Sequence, residues 1–283
     1  RKFENNPKVR FMLGDVRDRN RLSRALDGID YVVHAAAMKI VPKAEYDPFE
    51  CIKTNIEGAM NIVDIAIDRG VKKIVALSTD KACSPSNLYG ATKLISDKVF
   101  VAGNTYSASL NTIFSVVRYG NVIGSRGSVV PQFRTLIEQK VSHLPITDNR
   151  MTRFWLSLEE GVEFVFSSFE RMHGGEIFIP KIPSILITDL AKAMAPDLKH
   201  KIIGIRPGEK IHEIMCPADD SHLTLRFKEH FIITPSIDLE IGKSTYSIDK
   251  VGEKGDPVAQ DFEYSSNINE HFLTIDEIRN KLN

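Results

Sequence analysis

Residues 72–93 read KKIVALSTDKACSPSNLYGATK, and the two ends of this stretch ask for different backbones. Residues 72–79, KKIVALST, hold a short apolar run of the kind that makes a buried strand. From Asn87 onward, NLYGATKLISDKVFVAG reads as a helix. Between strand and helix lie an acid, Asp80, and a lysine, Lys81; a phenol, Tyr89, and a second lysine, Lys93, sit four residues apart beyond them.

The same alternation extends in both directions. VRFML at 9–13 reads as a buried strand, DRNRLSRALDG at 18–28 as a short amphipathic helix, and DYVVHAAA at 30–37 as a strand covered on both faces. A long helix follows from about residue 48 to 69, stopped by Gly70, and NTIFSVVRYGNV at 111–122 is a further strand. Strands alternating with helices in units of ~30 residues imply parallel pairing and right-handed crossovers. The expected fold is α/β, a doubly wound parallel sheet of Rossmann-like type with a smaller C-terminal lobe. Past residue 122 the pattern loosens into segments rich in Pro, Gly and Arg, such as LPITDNRMTRFW and IGIRPGEKIHE. One helix is signalled there by a capping box, Ser157 with Glu160. The expected division is a Rossmann-like domain over 1–122, lacking its first βα unit, and a mainly substrate-binding lobe over 123–283, with some segments returning to the main domain.

Composition narrows the partners. The 283 residues carry 37 basic and 37 acidic side chains, a formal net charge of +0, so no nucleic-acid surface or polybasic membrane patch is expected. No apolar run approaches the ~20 residues that span a bilayer. Cys51, Cys83 and Cys216 are odd in number and far apart, as in reduced thiols of a cytoplasmic protein, and the eight histidines show no metal-ligand spacing. No metal is expected.

A doubly wound sheet usually holds a dinucleotide through Gly-x-Gly-x-x-Gly after its first strand. That motif is absent; Gly120, Gly124 and Gly127 have another spacing and follow a late strand. One reading is a sheet that binds no dinucleotide. The other places a first strand, Gly-rich loop and helix before Arg1, since the opening suits the end of a second βα unit. GDVRD at 14–18, HAAA at 34–37, TNIEGAMNIVDIA at 54–66 and YGATK at 89–93 follow one another in the order that decides between them. In that order they resemble the extended short-chain dehydrogenase/reductase family, whose members bind NAD or NADP and oxidise a hydroxyl of a nucleotide sugar.

The chemistry of Tyr89 and Lys93 suits the resemblance. Side chains at i and i+4 share a helical face, so the ammonium is expected to lower the phenol from its usual value of about 10 towards neutrality. A phenolate can take a hydroxyl proton while carbon 4 of the sugar is oxidised. A tyrosine packed on the sheet beside a solvated lysine satisfies the same spacing. Family members that dehydrate at carbons 4 to 6 need a further acid and base; the retaining ones carry Thr-Asp-Glu where this chain has Thr79-Asp80-Lys81. Lysine in place of glutamate resembles the branch that inverts carbon 5 while dehydrating UDP-N-acetylglucosamine. The stretches AAMKIVPKAEYDPFECIKTNIEGA, VVRYGNVIGSRGSVVP and KIIGIRPGEKIHE are similar to that branch as well.

The resemblance implies NADP as cofactor, with NAD as the alternative, UDP-N-acetylglucosamine as substrate, a homo-oligomer, and a first step in pseudaminic acid biosynthesis for flagellin glycosylation. It implies that Tyr89, with Lys93 and Thr79, acts at carbon 4, that Lys81 as a neutral amine acts at carbon 5, and that Asp80 protonates the departing 6-hydroxyl. Burial or Lys93 is expected to depress the Lys81 pKa for that purpose. Asp15, Val16, Ala35, Lys39, Thr54, Asn55 and Val122, together with Tyr89 and Lys93, correspond to cofactor contacts. Lys39, Asn121, the run Arg126, Gly127, Ser128, Val129, Val130, Pro131, and then Arg153, Arg206 and Glu209 correspond to the substrate pocket. His212 and Trp155 read as structural. A sugar-nucleotide 4-epimerase, a capsule-pathway dehydratase and a non-catalytic assembly subunit remain as alternatives.

Overall fold

Burial on both faces explains why the central apolar runs are strands. Ile74 and Ala76 pack on one side of the sheet with Phe100 and Val101, whereas Val75 packs on the other with Val165 and Met172. The computed structural model describes residues 3, 6–107, 111–239 and 242–282. Its first half runs α1 (Arg19–Ala25), β1 (Tyr31–His34), α2 (Val41–Tyr46), α3 (Pro48–Ile52), a π-helical turn (Lys53–Glu57) and α4 (Gly58–Asp68). Next come β2 (Lys73–Thr79), a 3-10 turn (Asp80–Ala82), α5 (Leu88–Tyr106), β3 (Ile113–Tyr119) and β4 (Asn121–Val122). The long helix expected over 48–69 is present as α3, the π turn and α4, and Gly70 ends it with φ +68°.

The second half holds α6 (Val129–Glu138), β5 (His143–Ile146), β6 (Thr152–Leu156), α7 (Leu158–Arg171), β7 (Ile177–Pro180), β8 (Ser184–Leu186) and α8 (Ile187–Met194). It continues through β9 (Lys199–Ile202), β10 (Ile214–Cys216), β11 (Thr224–Arg226), β12 (His230–Ile233) and β13 (Asp256–Pro257). The seven-stranded sheet has the order β1-β2-β3-β7-β12-β11-β13. Pairing is parallel from β1 to β7 and antiparallel beyond it. Strands β7, β11, β12 and β13 thus bring the later chain back to the main sheet. A separate apolar cluster joins Val130 and Phe133 of α6, Leu144 and Ile146 of β5, Trp155 of β6 and Leu190 of α8. The capping box is present at α7: Glu160 N–H donates to Ser157 Oγ at 3.1 Å and Ser157 N–H to Glu160 Oε2 at 2.6 Å.

Residues 9–13 are not the strand that their composition suggests. They form no ladder among the described residues, and Phe11 and Leu13 are 72% and 92% exposed. Side-chain preference alone does not make a strand; a neighbour must take its backbone donors and acceptors.

One close approach fixes how α5 docks. A Cβ on Gly90 would lie 2.1 Å from the Lys81 carbonyl oxygen, a backbone atom that no rotamer change can remove. Gly90→Ala is therefore expected to push the first turn of α5 off the 3-10 turn, at a cost of about 1–3 kcal/mol. Thermal or urea unfolding checks this, and wild-type stability would contradict it.

Candidate active site

The carboxyl ends of the parallel strands open onto a cleft of about 470 Å³. Ala35 and Ala37 line it after β1, Thr79 at the end of β2 and Lys81 just beyond, and Gly120 and Asn121 after β3. The opposite wall is built from the start of α6, from Arg153 on β6, and from the loop that carries Arg206, Glu209 and Glu213. In sheets of this topology, ligands bind outside the carboxyl ends of the strands.

Local hydrogen bonds set the catalytic stretch. Thr79 caps the 3-10 turn: its Oγ1 accepts from Lys81 N–H at 3.3 Å and donates to Asp80 Oδ1 at 3.0 Å. Lys81 Nζ donates to Asp80 Oδ1 at 2.9 Å and stands 3.4 Å from Glu213 Oε1. Asn87 caps α5 by accepting from Gly90 N–H at 2.8 Å, and its Nδ2 donates to the Gly208 carbonyl at 2.8 Å. Lys210 Nζ donates to the Cys83 carbonyl at 2.7 Å. The two loops that face each other across the cleft are thereby tied together at its edge.

Two electrostatic expectations are overturned. Burial opposes the Lys81 charge, but the carboxylates of Asp80 and Glu213 outweigh it and hold the ammonium well above its ordinary value. Lys81 rests as a cation, not as a free amine. The Tyr89 phenol is not lowered towards neutrality: burial pushes it up to about 12, opposed by the charge of Lys81. The cation that acts on the phenol is Lys81, because Lys93 sits in a buried pocket under the influence of Asp97. Burial lowers Lys93 itself, against the pull of Asp97. Lys39 is lowered by burial and by the neighbouring charges of Lys81 and Arg126.

Most of the expected site residues meet in the one cleft. Ala35, Lys39, Thr79, Lys81, Tyr89, Lys93, Asn121, Val122, Arg126, Gly127, Ser128, Val129, Arg153, Arg206 and Glu209 all line it. Asp80 does not: it is 0% exposed and sits behind Lys81. Val130 and Pro131 do not line it either; Val130 is turned into the second apolar cluster because α6 begins at Val129. Asp15 and Val16 border a separate hollow of about 160 Å³, and Asp15 pairs with Arg17 at 2.8 Å. Thr54 and Asn55 lie on the π turn, outside the cleft wall. Asn55 clamps the loop after β1, accepting from Met38 N–H at 2.8 Å and donating to the Met38 carbonyl at 3.0 Å and to Thr92 Oγ1 at 3.0 Å.

Glu213 was not marked by its sequence. Its side chain is 2% exposed, its Oε1 lies 3.7 Å from Arg153 Nε, and no local motif around IHE signals it. Arg153 is anchored in turn: it donates to the carbonyls of Thr152 at 2.7 Å, Ile211 at 3.0 Å and Lys210 at 2.9 Å.

The cleft fits a polar, anionic pair of ligands. Buried polar atoms that make no hydrogen bond among the described residues include Asn121 Oδ1, Ser128 Oγ, Glu209 Oε2 and Glu213 Oε2, all on residues of its wall. The cations Lys39, Lys81 and Arg126 share it, as a diphosphate would require, and small side chains after β1 let a flat ring approach the strand ends. Among the described residues no cluster of three or more His, Cys, Asp or Glu can hold a metal, and no helix is long and apolar enough to cross a membrane.

Strand order, cleft and the Tyr89/Lys93 pair on one helix define the class, a Rossmann-like chain of the extended short-chain dehydrogenase/reductase type. The chain belongs to the polysaccharide biosynthesis protein family, whose pattern matches residues 1–235. It is 61% identical over 275 residues to the UDP-N-acetylglucosamine 4,6-dehydratase (inverting) of Campylobacter jejuni subsp. jejuni serotype O:23/36 (strain 81-176), covering 97% of this chain and 82% of that protein. It is 38% identical over 290 residues to the UDP-glucose 4-epimerase of Rickettsia conorii, covering 98% of this chain and 84% of that one. The X-ray structure of Pen from Bacillus thuringiensis superposes with a TM-score of 0.86 at 34% identity, over 99% of this chain and 83% of that structure.

A buried histidine beside the site makes stability depend on pH. Burial, with the nearby charge of Lys93, lowers His34 from 6.5 to about 4. The unfolded chain therefore takes this proton first. The stability tied to neutral His34 is present above pH 6.5 and lost as pH falls towards 4. Each unit of that interval is worth up to about 1.4 kcal/mol. His34→Gln is expected to flatten this part of the urea-unfolding profile; an unchanged slope would assign it elsewhere.

Proposed function

We propose that the chain is a UDP-N-acetylglucosamine 4,6-dehydratase that inverts carbon 5 and releases UDP-2-acetamido-2,6-dideoxy-β-L-arabino-hexos-4-ulose. The observation that carries the reading is Lys81: a lysine stands beside Asp80, faces the cleft, and shares it with Tyr89 and Lys93. The 61% identity to the Campylobacter jejuni enzyme supports the same substrate. NADP is the cofactor we assign, on the resemblance of the chain. When bound, it supplies the oxidation at carbon 4 and the reduction at carbon 6, and its nicotinamide charge favours the phenolate.

The chain's own residues do the rest. Tyr89 takes the 4-hydroxyl proton, helped by the positive charge of Lys81, with Thr79 lining the cleft beside it. Lys93 lines the cleft beside Tyr89, its charge opposed by burial and favoured by Asp97. Once carbon 4 is a ketone, the carbon-5 proton is acidic and Lys81 is the group that removes it. Arg126 and Lys39 take the diphosphate, with Arg206 held beside Glu209 at 3.7 Å. Asp80, fully buried, reaches the reacting atoms only through Lys81 and Thr79. The smaller lobe, with its own apolar cluster, carries the substrate side of the cleft. Exposed Met60 on α4 and Ile95 on α5 suit assembly into a homo-oligomer through the helices that flank the sheet. Three free, buried cysteines suit a cytoplasmic setting. The pathway reading, pseudaminic acid for flagellin, rests on the resemblance.

Two substitutions in the holoenzyme separate the steps. Tyr89→Phe removes one hydroxyl and should fold normally, yet lower turnover at least ~100-fold. Near-normal product formation would give carbon-4 oxidation to another group. Lys81→Ala keeps the Tyr89 phenol but removes the cation that favours its ionisation, so UDP-N-acetylglucosamine should still reduce the bound nicotinamide, more slowly than in the wild type, read by its absorbance. No water should leave, and carbon 5 should take almost no label from deuterated buffer. Dehydration and inversion close to the wild-type rate would end the Lys81 assignment. Wild-type product with the D configuration at carbon 5 would remove the inverting activity.

A further inference from the structure

A cation clamped by two carboxylates is a poor base. Lys81 must shed a proton before its amine can act at carbon 5, and the shed proton needs a nearby acceptor. Asp80 is one neighbour, with Oδ1 accepting from Lys81 and Thr79 and Oδ2, like Glu213 Oε2, buried without a hydrogen bond among the described residues, but it lies behind Lys81 and does not line the cleft. Glu213 is the other, and it is placed differently. It lines the cleft, its Oε1 is 3.4 Å from Lys81 Nζ, and its Oε2 is buried yet makes no hydrogen bond among the described residues.

Its backbone is also pinned. Glu213 N–H donates to Ser266 Oγ at 2.9 Å and Ser266 N–H donates back to the Glu213 carbonyl at 2.8 Å. Ser266 Oγ stands 2.7 Å from Thr152 Oγ1, and Arg153 steadies the carboxylate from β6. A carboxylate held this firmly on a cleft-lining residue, with Oε1 beside the lysine and Oε2 buried without a partner, is arranged to take a proton from Lys81.

We propose that Glu213 is the proton partner of Lys81 and the acid for the leaving 6-hydroxyl. This rests on the dehydratase reading above. Glu213 accepts one ammonium proton, leaving a neutral amine and a neutral carboxylic acid. The amine takes the carbon-5 proton, and the electron pair of that C–H bond becomes the enolate. The enolate re-forms the ketone as the C6–O bond breaks, and Glu213 protonates the departing hydroxide. Water leaves, carbons 5 and 6 are joined by a double bond, and Lys81 and Glu213 are again cation and carboxylate. When Lys81 later returns a proton to carbon 5 the pair is one proton short. This matches the proton that Tyr89 took from the 4-hydroxyl, and exchange with solvent resets both.

Glu213→Gln tests this, because it keeps the shape and removes the acid. In the holoenzyme with UDP-N-acetylglucosamine, reduction of bound nicotinamide should stay within about threefold of wild type. Water loss, and deuterium uptake at carbon 5 read by NMR, should fall at least ~100-fold. A mere counter-ion predicts the opposite sign: without it Lys81 loses its proton more readily, and uptake at carbon 5 holds or rises. That result overturns the proposal, as does an equal loss of carbon-4 oxidation and dehydration, the mark of a structural role. Glu213→Asp retains an acid and should recover part of the dehydration; no recovery, in a variant that still oxidises carbon 4, counts against it. If E213Q does not fold, E213D carries the test, with dehydration slowed and carbon-4 oxidation kept; wild-type rates for both would overturn the proposal. Failure of the wild type itself to give a 6-deoxy-4-keto sugar would instead sink the dehydratase reading.

Discussion

Arg118 and Asp97 form the contact on which the site is hung. The two are buried, with Arg118 Nη2 donating to Asp97 Oδ2 at 3.2 Å. Ser78, at the end of β2, donates to the same carboxylate oxygen at 2.8 Å, and Arg118 Nη1 donates to the Met215 carbonyl of β10 at 2.9 Å. One pair thus joins β2, which leads into Asp80 and Lys81, to α5, which carries Tyr89 and Lys93, and to β3 and the strand just after Glu213. A buried ion pair adds little net stability, because desolvation offsets attraction, yet removing one partner costs about 3–5 kcal/mol. Its contribution is to hold four elements in one arrangement.

Within that frame the Lys81 charge is decided by competition. Taking an ion out of water costs several kcal/mol even after relaxation. A carboxylate at ~4 Å returns about 4 kcal/mol at an effective dielectric constant of ~20, and Lys81 has two at closer range. Two carboxylates outweigh one burial, so the ammonium is favoured. Tyr89 has the reverse balance. It is buried, and the negative charges of Asp80 and Asp97 oppose its ionisation while Lys81 favours it. A neutral phenol and an ammonium are the forms this balance of burial and charge favours.

The same competition explains why this cleft suits a nucleotide sugar. Its cations, Lys39, Lys81 and Arg126, repel one another and are relieved by a diphosphate. Its unbonded polar atoms, on Asn121, Ser128 and Glu209, are relieved by hydroxyl and amide groups. The loop tied down by Asn87 and Lys210 brings the acidic residues of the later chain over the strand ends without burying them against each other.

By itself the sequence determined the alternation of strands and helices, the capping box at Ser157, and the placing of Tyr89 and Lys93 on one helix. These are local: periodicity, caps and i,i+4 spacing act within a few residues and need no partner from elsewhere. It also marked Asp80-Lys81, since an acid and a base at a strand end stand out in a short stretch. Tertiary structure alone decided the rest. Residues 9–13 have strand composition but no neighbour to pair with, Val130 belongs to a core because of where α6 begins, and Asn55 turns out to be a clamp on Met38. Glu213 reaches Lys81 across 132 positions of chain, and its carboxylate joins that of Asp80 in reversing the pKa expected for that lysine. Electrostatics depends on distance in space and on burial, and neither can be read from spacing along the chain.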